Sequence, residues 1–213
     1  MIQTCKHLSV LTALTVVMTA LSPIAQANEP GPRYQGVYTG ISIGKQNYFG
    51  GAFLDDLDVL SQKSARLIDL SAGWRTPLSE GWVLAIEGAY GIADGNLFLQ
   101  NANYTIDYQN EYQLSGGLIA GKIVGQAKNW MLFAYSYFTL RKFDIQISSA
   151  TGSFSQQDEQ GVWRYGLGLE RRLLKNWSVR ASLGQTYVDL GGLKTNIEVN
   201  DKADAMIGLV YQF

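Results

Sequence analysis

The sequence predicts an all-β fold: an eight-stranded antiparallel up-and-down barrel that crosses a membrane on its strands. Three observations predict it. Apolar residues alternate with small or polar ones at a period of two in eight segments. The connections between those segments alternate short and long. Charged residues make up only 16% of the chain, against 23 Gly, 12 Tyr, 8 Phe and 5 Trp, where a soluble domain runs at about 25% charged.

Residues 1–27 are set aside first, because they read as a cleaved signal peptide. Lys6 and His7 precede an uncharged apolar stretch from Leu8 to Leu21, and Ala25-Gln26-Ala27 offers small residues at the two positions a signal peptidase reads. That stretch is too short for a membrane span, which needs roughly 20 residues. The barrel domain is therefore expected over 28–213. Cys5 and His7 are the only Cys and His of the chain. The barrel is thus expected to lack disulfides, zinc-type metal sites and any cofactor ligated through these residues. Loss of Lys6 takes the net charge from −1 to −2, which is no footprint for nucleic acid.

No segment beyond the leader reaches about 18 uninterrupted apolar residues. The longest candidate, Met131 to Leu140, contains Ser136 and Thr139. A membrane crossing must then be a closed barrel, which satisfies every backbone group within itself.

The strands follow in order. Over 36–44, Val37, Thr39, Ile41 and Ile43 oppose Gly36, Tyr38, Gly40, Ser42 and Gly44. Over 66–75, Ile68, Leu70, Ala72 and Trp74 oppose Leu67, Asp69, Ser71, Gly73 and Arg75. Over 82–92, Trp82, Leu84, Ile86, Tyr90 and Ile92 oppose Val83, Ala85, Glu87, Ala89 and Gly91. Over 112–121, Tyr112, Leu114, Leu118 and Ala120 oppose Gln113, Ser115, Gly117 and Gly121, with Ile119 out of pattern.

In the second half, segment 131–147 sets Met131, Phe133, Tyr135 and Tyr137 against Leu132, Ala134, Ser136 and Phe138, the least clean alternation. Over 162–171, Trp163, Tyr165, Leu167 and Leu169 oppose Arg164, Gly166, Gly168 and Glu170. Over 177–188, Trp177, Val179, Ala181, Leu183 and Tyr187 oppose Ser178, Arg180, Ser182, Gly184 and Thr186. Over 203–213, Ala205, Ile207, Leu209, Tyr211 and Phe213 oppose Asp204, Gly208 and Gln212. Each run is close to the 9–11 residues of a tilted membrane strand.

Short connections fall at 76–81, 124–129 and 173–176, and long polar ones at 47–64, 93–108, 148–160 and 189–202. That asymmetry places short turns in the periplasm and long loops outside the cell. Tyr34, Trp82, Trp130 and Trp177 recur at intervals of 48, 48 and 47 residues. They are expected to form one aromatic belt at the membrane interface. A soluble ligand-binding barrel of the same strand number is the rival fold. It would need a solvated outer face, and the Gly, Ser and Ala opposite the apolar residues suit a narrow filled interior instead.

Ile207, Leu209, Tyr211 and Phe213 share one phase of the last strand and end on an aromatic. This pattern resembles the terminal assembly signal of outer-membrane barrels. With leader, strand count and loop asymmetry, the chain resembles the OmpA transmembrane-domain/OmpX class of small barrels. The resemblance implies the outer membrane as location, lipid and lipopolysaccharide as surroundings, and the barrel-assembly machinery as an export partner.

Six ionisable residues fall on the inward face: Asp69, Arg75, Glu87, Arg164, Glu170 and Arg180. Unpaired, each would cost several kcal/mol of desolvation. Glu170 and Arg180 are expected to pair across the 173–176 turn. Asp69 and Glu87 would take a cation across the lumen, with Arg164 the candidate. The six read as a salt-bridge plug or, alternatively, as a polar path. Barrel enzymes that modify lipid A use a His with Ser and an acid, and the chain beyond the leader has no His. Asp55-Asp56-Leu57-Asp58 is a solvated acidic run or a cation site. Phe49, Phe53, Leu54, Phe98 and Phe154 make the long loops more apolar than solvent exposure requires, as contacts to a host or cell-surface partner or to one another. Surface display ranks first, a narrow channel second and a lipid A-modifying enzyme third.

Overall fold

A computed structural model describes residues 34–54, 57–94, 96–100, 104–125, 128–150, 152–187 and 204–213. The leader 1–27, Asp55, Asp56 and the long connection 189–202 lie outside the described residues. The strands are β1 (Gly36–Leu54), β2 (Leu57–Pro77), β3 (Trp82–Asp94), β4 (Asn96–Gln100), β5 (Tyr104–Val124), β6 (Trp130–Ser149), β7 (Gly152–Arg172), β8 (Trp177–Tyr187) and β9 (Asp204–Gln212). β3 and β4 are two lengths of one stave, since both pair with β5, Trp82↔Lys122 to Gly91↔Gln113 below and Asn96↔Gln109 to Gln100↔Thr105 above. Eight staves result. They close antiparallel: β1 pairs with β2 on one side and β9 on the other, and the β3–β5 pairing completes the ring.

The short turns have the local chemistry to reverse the chain. Glu80 and Gly81 take φ of 58° and 79° in the first, and Gly125 and Lys128 take 84° and 49° in the second. Glycine suits the left-handed region at no steric cost. Leu78 N–H donates to Trp82 O at 2.7 Å, and Lys128 N–H to Gly125 O at 3.0 Å.

Three of the expected long loops are largely strand. β1 and β2 stay paired up to Leu54↔Leu57, and β6 stays paired with β7 up to Ser149↔Gly152. β2, β5 and β7 each run 21 residues, about twice a membrane crossing. The barrel wall thus continues beyond the bilayer as hairpin ladders. Polar composition suggested loops, but a ribbon exposed on both faces, as residues 152–157 of β7 are, also has polar side chains and loses its strong alternation.

Parity along the strands holds on the outer face. Ile41, Ile43, Ile68, Leu84, Ile86, Leu114, Leu118, Leu167, Leu183 and Ile207 are all 41–68% exposed, which makes a lipid-facing band. The ninth to eleventh residues of a stave reach its upper edge: β8 runs from Trp177 to Tyr187, both on the outer face.

β6 departs from the small-inside expectation. Met131, Phe133, Tyr135 and Tyr137 point into the barrel, and Leu132, Phe138 and Leu140 point to lipid. Glycines make the room. The Tyr135 ring lies over Gly166 and Gly184, which oppose each other on β7 and β8, and the Phe133 ring lies over Gly168. Ile119, out of pattern in the sequence, packs inward in the same cluster. A second apolar cluster of Ala65, Leu67, Ala93, Ile106, Phe143 and Ile145 fills the lumen toward the long hairpins.

Candidate functional site

The inward charges form two connected ladders. In the lower one, Arg75 Nε donates to Gln212 Oε1 at 2.5 Å, and Arg75 Nη1 to Glu170 Oε1 at 2.9 Å. Arg180 Nε donates to Glu170 Oε2 at 3.1 Å, Arg180 Nη1 to Glu87 Oε2 at 2.6 Å, and Tyr137 Oη to Glu87 Oε1 at 2.7 Å. The Tyr38 ring stands between the two guanidiniums, 4.5 Å from Arg75 and 5.3 Å from Arg180. Four strands meet here because Glu170↔Arg180 is a register pair of β7 and β8, while Arg75 on β2 and Glu87 on β3 reach in from the opposite wall.

In the upper ladder, Arg164 lies 3.9 Å from both Asp69 and Asp204. Asp69 accepts from Gln113 Nε2 at 3.3 Å. Asp204 accepts from the Asn47 backbone N–H at 2.8 Å and from Thr186 Oγ1 at 2.7 Å. A cavity of about 60 Å³ lies between the ladders, lined by Asp69, Glu87, Tyr137, Arg164 and Arg180 among others. It has room for a few waters bridging these groups.

All six expected residues are brought into one interior. The Glu170–Arg180 pair forms as expected. Arg164 meets Asp69 but not Glu87, whose cation is Arg180. Register alone places Glu87 far from Arg180 in sequence, so only closure of the barrel joins them. Two further members stand outside the expected six: Asp204, which the alternation of 203–213 already set on the inward face, is 2% exposed, and Arg141, which the sequence reading missed, is 1% exposed. Arg141 follows Tyr137 in the same phase, so the parity of β6, once its aromatics are assigned inward, would have found it. With Arg141 and Asp204, the six become four cations against four anions in the interior, among the described residues. Desolvation penalises any excess of one sign there.

The belt is also corrected at one position. Trp82 and Trp177 are 47% and 44% exposed on the outer face at the short-turn end, and Trp130 is partly exposed there. Lys122 Nζ lies 5.0 Å from the Trp82 ring and the Arg171 guanidinium 4.8 Å from that of Trp130. Tyr34 is not among them. It is 2% exposed and turned inward, its hydroxyl donating to Asn129 O at 2.9 Å and its ring 5.1 Å from Arg75. Tyr34 shares the even parity of inward Tyr38, and parity is the stronger signal than the 48-residue interval. An upper girdle completes the band, with Tyr90 stacked on Tyr112 at 5.9 Å and Phe138 against Trp163 at 5.3 Å.

Ile207, Leu209, Tyr211 and Phe213 line the outer face of β9, with Trp177, Tyr211 and Phe213 in successive edge contacts at 5.0 Å. Phe213 N–H donates to Val37 O at 3.1 Å, across the seam with β1. Phe213→Ala is therefore expected to lower the amount of folded barrel in the outer membrane several-fold. Equal amounts of heat-modifiable protein in membranes from both strains would remove Phe213 from any assembly role. Of the loop aromatics, Phe154 is 58% exposed; the side chains of Phe49, Phe53, Leu54 and Phe98 lie outside the described residues. Among the described residues no group of three or more Asp, Glu, His or Cys is placed to hold a metal.

Solved structures with a similar trace share low identity with this chain. Ail of Yersinia pestis has 19% identity and a TM-score of 0.49, covering 84% of this chain and 99% of that one. The N-terminal barrel of Pseudomonas aeruginosa OprF has 18% identity and a TM-score of 0.41, covering 84% and 98%. Neisserial surface protein A has 9% identity and a TM-score of 0.48, covering 83% and 96%. No curated protein sequence matches the chain. The family model described as outer membrane protein beta-barrel domain matches residues 11–213. With a closed antiparallel barrel, a lipid-facing apolar band and aromatic girdles at both edges, the chain belongs to that outer-membrane β-barrel family.

Proposed function

We propose that this protein is a non-enzymatic, non-conducting outer-membrane plug that holds its hairpins rigidly at the cell surface, for envelope integrity and for contact with lipopolysaccharide or another surface. The observation that carries the reading is the pair of interior ladders. Every cation of the original six has an anion within 4 Å, so the charges close on one another instead of lining a water path. The apolar cluster around Leu67 and Phe143 supports the same reading, because a dewetted constriction resists ions. The β1–β2 and β6–β7 ladders, unbroken in register, and the β5–β6 ladder, with one bulge between Asn110 and Tyr112, give the exterior part the stiffness of a sheet. Export by the leader and insertion by the barrel-assembly machinery belong to this proposal. So does the absence of a cofactor or metal.

The test is conductance. In planar bilayers the purified protein is expected to give no sustained single-channel steps. Reproducible steps whose ion preference changes on neutralising Arg164 or Glu87 would replace the plug with the narrow channel. Deacylase or acyltransferase activity on lipid A would overturn the non-enzymatic part.

A further inference from the structure

The outer wall is not uniformly covered. On β7, β8, β9 and β1 the rungs Leu169–Ala181–Ile207–Ile43 and Leu167–Leu183–Ala205–Lys45 lie side by side on the lipid face. Ala181 and Ala205 are diagonal neighbours, each flanked by longer side chains. The result is an apolar groove of about 950 Å³, with Leu167 and Leu183 standing 68% and 63% exposed at its side. Its upper end is marked by Lys45, exposed on the outer face one step above Ile43, where the apolar band stops. Lys45 pairs in register with Arg66 of β2, also exposed, and no acid stands on the rung beside Lys45 itself. The nearest acid in that row is Asp94, opposite Arg66 on β3.

We propose that the groove seats an acyl chain of a phosphorylated outer-leaflet glycolipid, the lipid A part of lipopolysaccharide, with a phosphate held by Lys45 and Arg66. The inference deepens the lipopolysaccharide contact proposed above and rests on the long hairpins facing out of the cell. A tail in the groove recovers dispersion contacts that the two alanines leave open. A phosphate at the band's upper edge meets two adjacent cations at headgroup depth, where charge-assisted bonds are shielded from bulk water on one side. A zwitterionic headgroup would bring its own ammonium against the same pair. A second copy of this chain would bring Lys45 against Lys45 or against a bare apolar wall.

The experiment is titration of the full-length detergent-solubilised protein with bisphosphorylated lipid A, read by native mass spectrometry. Wild type is expected to retain one molecule, and to retain the phosphate-free form about tenfold less well. Ala205→Phe, which fills the groove, and the double change Lys45→Gln/Arg66→Gln are each expected to lower retention by about tenfold. Ala120→Phe, elsewhere on the outer face, is expected to leave retention unchanged. Heat-modifiable mobility checks folding of each variant, and if Ala205→Phe fails it the Lys45/Arg66 variant decides. Equal retention by all variants, equal retention of phosphatidylethanolamine, or a dimer that Ala205→Phe disperses would each overturn the assignment. None of these outcomes bears on conductance, so the plug reading stands or falls separately.

Discussion

Glu170→Ala is expected to destabilise the barrel by about 3–5 kcal/mol, the usual cost of leaving a buried charge without its partner. Glu170 is fully buried and accepts from Arg75 on one oxygen and Arg180 on the other. After its removal Arg180 still has Glu87, at 2.6 Å. Among the described residues Arg75 keeps only the neutral Gln212 and the faces of Tyr34 and Tyr38. The orphan is therefore Arg75. Glu170→Ala/Arg75→Leu should cost less than the sum of its singles by about 1–3 kcal/mol. Glu170→Ala/Arg180→Ala should recover less, because it strands Glu87 in exchange. The sequence suggests the opposite choice, since Arg180 is the register partner. Urea unfolding in lipid vesicles measures the wild type and all five variants. Additivity of the Arg75 pair, or better recovery with Arg180, would refute the ladder.

Gly166→Val is expected to cost about 3 kcal/mol or to prevent assembly, at the upper end of what overpacking does. A Cβ at Gly166 would run into the Leu183 carbonyl, lie 2.6 Å from the Gly184 Cα and 2.8 Å from the Tyr135 hydroxyl. Two of these three atoms are backbone of the paired strand, so the clash cannot be relieved by a rotamer change. Gly116→Val is the control. Gly116 faces lipid with nothing within 4 Å of its added Cβ, and its substitution should stay within about 0.5 kcal/mol. Loss of heat-modifiable mobility in the Gly166 variant alone is the expected result. Equal behaviour of the two would show that the interior yields to a Val, contrary to a filled lumen.

These two residues also show what each level of description holds. That Gly166 and Glu170 point inward was legible from the alternation of 162–171, because the direction of a strand side chain depends only on parity. The Glu170–Arg180 pair was legible as well, since a four-residue turn sets the register of β7 against β8. The bulk of β6 was not. Met131, Phe133, Tyr135 and Tyr137 alternate like a lipid-facing set, and only the glycines of neighbouring staves show where those rings have room. The Tyr34 assignment failed for a different reason: a long-period spacing was preferred over local parity. The 152–157 length of β7 was hidden because a ribbon exposed on both faces carries little hydrophobic pattern.

By itself the sequence determined the number of staves, the face of most residues outside β6, the alternation of short and long connections, and six of the charged residues that had to be neutralised inside. These are local quantities, set by a period of two and by turn length. Only the tertiary structure decided that Arg75 meets Glu170 and that Glu87 meets Arg180, contacts 95 and 93 residues apart. Which side chains face each other across the lumen depends on the tilt and stagger of the closed barrel. Those belong to the ring as a whole, and no stretch of sequence carries them.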